Sequence, residues 1–100
     1  MSSNKLLLEA IALRKCVTAT YNRGTVKLAP HILYTRHDEL FIDAVTVSRD
    51  GKPPREIKIG TFKVSGLSDL ALDDEPFAPE PGFDADAEKY AGVALFAVQS

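Results

Sequence analysis

Residues 39–47 read ELFIDAVTV, a run in which Phe41, Ile42, Ala44, Val45 and Val47 are apolar, three consecutive residues are Val or Thr, and no Gly or Pro intervenes. β-branched and aromatic residues suit a pleated surface, so this is a strand. Both of its faces are largely apolar. A strand of that kind needs cover on two sides and paired edges, which makes it the central strand of a small all-β barrel. Beyond the terminal Glu39, Asp43 is its one charge. A carboxylate between Ile42 and Ala44 must face solvent or meet a cation.

Outward from this strand the turns are easy to place. Upstream, Arg36 to Asp38 form a turn, preceded by a strand TVKLAPHILYT ending at Thr35. Pro30 has no N–H to give a ladder, so that strand must bend, bulge or lie on an edge there. Asn22, Arg23 and Gly24 make an earlier turn, with Gly24 suited to a positive φ. Before it, Cys16 to Tyr21 alternates as a first strand. Residues 4–15 carry Leu6, Leu7, Ala10, Ile11 and Leu13 at helical spacing, with Ser3 or Asn4 as cap and Arg14 and Lys15 in the last turn. Downstream, Asp50-Gly51 is a hairpin signal. Glu56 to Val64 alternates, with a bulge or sharp bend expected at Gly60, and Leu67 to Leu72 is a last short strand. The expected class is mainly β (α+β): one N-terminal helix, then a five-stranded antiparallel SH3/Sm-like barrel. Asp73 to Gly82 is polar, holds three prolines and reads as linker. Asp84 to Val98 reads as a short C-terminal helix or strand.

At 100 residues and 45% hydrophobic, the chain suits one domain with one core. The single cysteine, Cys16, excludes an internal disulfide and a multi-cysteine metal cage, as in a reducing cytoplasm. No stretch has the length of a membrane span or a signal-peptide core. A soluble, cytoplasmic protein without membrane contact is expected. The net charge of -2 conceals an asymmetry: through Leu70 there are eleven Lys and Arg against seven Asp and Glu, and afterwards seven acids face Lys89 alone. A basic body carries an acidic tail.

The order of elements resembles a WYL domain, a bacterial Sm-like barrel usually attached to helix-turn-helix transcription regulators. The resemblance rests on Ala10-Ile11 followed by Arg14-Lys15, on Tyr21, on Pro30-His31-Ile32-Leu33, and on Leu40-Phe41-Ile42 at the place of the Trp-Tyr-Leu that names the family. It extends through Phe62-Lys63-Val64-Ser65-Gly66-Leu67 to the Asp-Glu-Pro-Phe ending at Phe77. Gly66 stands where the family has a second arginine, and Gly60 where another often precedes the phenylalanine. The resemblance implies a minimal, free-standing member without a helix-turn-helix. Its WYL-like domain would be residues 1–77, with 78–100 an acidic linker and tail.

Little in the chain points to catalysis. There is no GxSxG, P-loop or Rossmann glycine pattern, the two histidines are too few for a spaced metal signature, and no cofactor is called for. Cys16 follows a helix end, where nothing lowers a thiol pKa, and reads as a small core residue. The expected function is a non-enzymatic regulatory or sensor domain whose basic face binds a nucleotide or single-stranded nucleic acid. Arg55, Lys58 and Lys63 would meet phosphate, with Tyr21 or His31 adding a stacking or polar contact. The alternative is a protein-interaction module that forms a homo-oligomer or docks onto a separate regulator.

Overall fold

The computed structural model describes residues 3–98. A helix α1 (Ser3–Leu13) precedes strands β1 (Lys15–Tyr21), β2 (Gly24–Arg36), β3 (Glu39–Arg49), β4 (Ile59–Lys63) and β5 (Ser68–Pro76), and a sixth strand, β6 (Ala94–Ala97), follows a single 3-10 turn at Glu88–Tyr90. All pairings are antiparallel. The sheet runs β4-β3-β2-β1-β5, and β6 pairs with β2. The fold is therefore mainly β with one N-terminal helix, as expected, but with six strands in place of five. Among the described residues, pairing leaves β4 and β5 at the two ends of an open sheet.

Three hairpin turns share one geometry. Asn22-Arg23, His37-Asp38 and Asp50-Gly51 all have positive φ, between 49° and 83°. Each closes a two-residue loop, the type I′ turn whose twist matches the flanking strands. Gly24 is thus not the positive-φ residue expected of it. Its constraint is space: a Cβ there would lie 3.1 Å from Asp50 Oδ2, and Asp50 Oδ1 accepts the Thr25 N–H at 2.9 Å. The helix ends two residues earlier than its sequence suggests. Ser3 and Asn4 lie inside it, its capping position falls outside the described residues, and Arg14 takes a φ of 56° to turn the chain into β1.

Pro30 does what its missing N–H requires. The β2–β3 register shifts between Pro30 and Ile32, a bulge, and the bulge reverses the parity of β2. Before it Val26 and Leu28 join the core under α1; beyond it Leu33 does, while Ile32 and Tyr34 point to the opposite face. Gly60, by contrast, makes no bulge: the β3–β4 register runs unbroken from Phe41↔Lys63 to Val45↔Ile59.

Both faces of β3 are covered, as its composition demands. On one side Ile42 and Ala44 pack with Leu7, Ala10 and Ile11 of α1, each large buried side chain contributing roughly 1.5–3 kcal/mol. On the other, the segment after β5 provides the cover. Phe77 packs on Val45, Ala29 and Cys16, and Tyr90 packs on Ile32 and Tyr34. The stretch expected as linker and tail is thus the second layer over the sheet. The sheet also curls towards α1. Tyr21 and Phe62 sit on β1 and β4, three strand steps apart or roughly 14 Å on a flat sheet, yet their ring centroids are 5.4 Å apart.

Candidate functional site

Asp43 points to the face covered by the C-terminal segment and has no solvent exposure. Desolvating a carboxylate costs several kcal/mol unless donors replace the lost water. Four donors do. Oδ1 accepts from Tyr34 Oη at 2.7 Å and Thr61 Oγ1 at 2.8 Å; Oδ2 accepts from Tyr90 Oη and pairs with Lys89 Nζ at 3.0 Å. Thr61 is the direct cross-strand partner of Asp43 on β4, and Tyr34 flanks its β2 partner Ile32. Burial alone would raise the Asp43 pKa, and the bonds from Tyr90, Tyr34, Lys89 and Thr61 together bring it below its ordinary value. The same burial and the carboxylate push Tyr34 up to about 12 and raise Tyr90 as well. Both hydroxyls stay protonated donors.

Lys89 carries the site outwards. Its side chain is 57% exposed, and it lines a cleft of about 470 Å³ with Tyr34, Thr35, Arg36, His37 and Val93. The cleft lies between the β2–β3 hairpin and the C-terminal segment, which are held together at its floor by the Thr35 N–H donating to the Val93 carbonyl at 3.1 Å. Arg36 forms no ion pair among the described residues. Two cations, of which Lys89 is held by Asp43, and an imidazole from sequence-distant segments thus face one partly enclosed space.

No protein-family model, curated protein or solved structure matches this chain. The site stands on its own geometry.

The residues singled out from sequence do not converge. Arg55 lies in the exposed loop between β3 and β4. Lys58 Nζ sits in the same loop, 3.9 Å from Glu56. Lys63 is at the far end of β4, roughly 16 Å along extended chain from Lys58, and pairs with Glu39 at 2.9 Å. Tyr21 packs edge-on against Phe62. His31 is 1% exposed: its Nδ1–H donates to the Ala29 carbonyl at 2.8 Å, and its Nε2 accepts the Glu80 N–H at 2.9 Å. Phe77 and Phe83 enclose the ring, each with its centroid 5.1 Å away. It presents no polar atom to a ligand; it pins the proline-rich strand-to-tail connection to the bulge of β2. The acidic run on β5 is likewise engaged, with Lys27 pairing to Glu75 at 3.1 Å and to Asp73 at 3.8 Å.

Neither Lys89 nor His37, nor Thr61 and Tyr90 beside Asp43, is among the site residues expected from sequence. One signal is present: a carboxylate inside a core strand must face solvent or meet a cation, and Lys89 is the one cation in the acidic tail. Cys16 is buried, and burial pushes its thiol up to about 11, so it is not a nucleophile at neutral pH.

Proposed function

We propose that this chain is a non-enzymatic binding domain for a small phosphate-bearing anion, held between Arg36 and Lys89 with His37 at the rim. The observation that carries this reading is the convergence of these side chains on one cleft of about 470 Å³. Arginine and lysine donors to a phosphate group make charge-assisted hydrogen bonds. A compact ligand fits better than a nucleic-acid strand. A strand needs a track of free cations, whereas Lys27, Lys58 and Lys63 each face a carboxylate. The Tyr34 ring is buried and stacked on Phe41, so it offers no face to a base. A regulatory role for such binding rests on the resemblance to WYL domains. Closure of the sheet into an Sm-like barrel belongs to the same proposal, supported by the curl that brings Tyr21 against Phe62. The test is calorimetric titration with inorganic pyrophosphate and with a single-stranded oligonucleotide. Saturable pyrophosphate binding lost in Arg36→Ala supports the reading, and binding of the oligonucleotide alone contradicts it.

A second reading has its own observation. A groove of about 460 Å³ between α1 and β6 is lined by Leu8, Ala12 and Phe96, with Lys5 and Glu9 at its rim, and the outer edge of β6 pairs with no strand among the described residues. The occupant this favours is a second copy, whose own β6 edge can meet this one about a two-fold axis. Sedimentation at rising concentration tests it: a mass that grows towards the dimer supports self-association, and a constant monomer mass refutes it.

A further inference from the structure

Asp43 does not touch the cleft, yet two of its four donors are consecutive residues of the segment that walls it. Tyr34 and Thr61 belong to the core strands; Lys89 and Tyr90 belong to the segment that closes over them. Few backbone bonds hold that segment otherwise. β6 has three residue pairs with β2, where β3 has ten. Beyond these, the Thr35 N–H donates to the Val93 carbonyl at 3.1 Å and the Val98 N–H to the His31 carbonyl at 2.7 Å, while the side chains of Tyr90 and Val98 are buried and Tyr90 lies edge-on to Tyr34 at 5.3 Å. Gly92, with a φ of 73°, forms the bend between the anchor and β6. Such a thinly bonded terminal element belongs to the low-stability end of a structure, where local opening costs less than global unfolding.

The ammonium of Lys89 has three protons. One is directed to Asp43 Oδ2 at 3.0 Å, and the exposed remainder of the group lines the cleft. An anion in the cleft can therefore share Lys89 with Asp43, but only while the segment is docked. Undocked, Lys89 leaves Arg36 and the cleft loses a wall.

We infer that residues 88–98 are a latch, that Asp43 is the positioning residue that holds it, and that anion binding in the cleft and docking of the latch are a single linked equilibrium. This rests on the cleft being an anion site. Ligand that binds only the docked form stabilises it by a factor of 1 + [L]/Kd, about 100-fold at one hundred times Kd. Conversely, loosening the latch raises the apparent Kd only as far as it lowers the docked fraction.

The experiment is hydrogen exchange on the full chain, with and without inorganic pyrophosphate, for the wild type, Asp43→Asn and Tyr90→Phe. The second variant removes one hydroxyl and keeps both the carboxylate and Lys89, so it stays informative where Asp43→Asn fails to fold. Pyrophosphate should slow exchange in peptides covering 88–98 by tenfold or more and change peptides of β1 and β5 far less. Tyr90→Phe should speed exchange across 88–98 several-fold, and saturating pyrophosphate should slow it again, although its hydroxyl meets Asp43 and not the ligand. Binding in the wild type with exchange at 88–98 unchanged, or slowed equally everywhere, overturns the linkage and leaves the cleft standing. Exchange at 88–98 in Tyr90→Phe that bound pyrophosphate fails to slow also overturns it. No binding of pyrophosphate at low salt overturns the cleft and the linkage together.

Discussion

Tyr90 and Asp43, 47 residues apart, meet at a carboxylate oxygen that water does not reach. The contact joins the last layer of the fold to its central strand. It also fixes the neighbouring Lys89, so the stability of the C-terminal segment and the charge of the cleft depend on one buried group.

Removing that charge should be costly. Asp43→Asn puts an amide where two hydroxyls, a threonine and an ammonium all donate; the exposed Lys89 returns to water, but a buried hydroxyl left without an acceptor costs about 1–3 kcal/mol. Against a typical domain stability of about 5–15 kcal/mol, that is a large fraction. Urea unfolding should show a midpoint lowered accordingly with a similar m-value. A change under about 1 kcal/mol would mean that the network is not a stabilising one.

The pH dependence follows from two groups held below their ordinary values. Burial lowers the His31 pKa from 6.5, against the opposing effects of the Ala29 carbonyl and the nearby Glu80 carboxylate. A histidine buried neutral binds its proton more readily when unfolded. Its contribution is complete above pH 6.5 and is lost as pH falls from there through the depressed folded value. Protonation would also set an N–H against the Glu80 N–H. Asp43, lowered from 3.8, acts in a separate window, its stabilisation disappearing only as pH falls below 3.8. Urea midpoints should fall as pH drops below 6.5 in the wild type and stay flatter in His31→Gln; parallel profiles would refute the role given to His31.

Two glycines should behave oppositely. Gly24→Ala forces a methyl to 3.1 Å from the Asp50 carboxylate that receives the Thr25 N–H, and loss of a charge-assisted bond costs about 1.5–3 kcal/mol. Gly60→Ala meets nothing closer than 3.6 Å, on the Phe62 ring, at a φ that alanine tolerates. A stabilisation of about 0.4–1 kcal/mol through the unfolded chain is expected there. Thermal melts of both variants separate the two cases.

Cys16 gives a simple probe of packing. Buried and with its thiol pushed up to about 11, it should react with an aromatic disulfide reagent far more slowly in the native protein than in urea. Comparable rates would contradict its place beneath Phe77.

These residues also show what could be seen in the sequence and what could not. The ELFIDAVTV strand was legible because its composition alone demands cover on both faces, and the bulge at Pro30 because proline lacks a donor wherever it sits. The two glycines were misread. Asn22 and Arg23 supply the positive φ of their turn, and the limit on Gly24 comes from Asp50, 26 residues away, which no local pattern reveals. The site failed for a related reason. Arg55, Lys58 and Lys63 were grouped by charge, but the fold spreads them along β4 and its loop beside Glu56 and Glu39. Arg36 and Lys89 meet only because β6 returns to β2, and in residues 84–98 neither a helical nor a strand period prevails. Asp43 was the exception, since a buried charge states its need for a partner without saying where that partner lies.

The most direct test is a calorimetric titration of inorganic pyrophosphate into the wild type and into Lys89→Ala, at low and at raised salt. Saturable one-to-one binding that weakens with salt, and that falls about 10- to 100-fold in Lys89→Ala as loss of a charged hydrogen bond implies, is the predicted result. Binding of equal strength in both proteins, or none in the wild type at low salt, would contradict an anion site between Arg36 and Lys89.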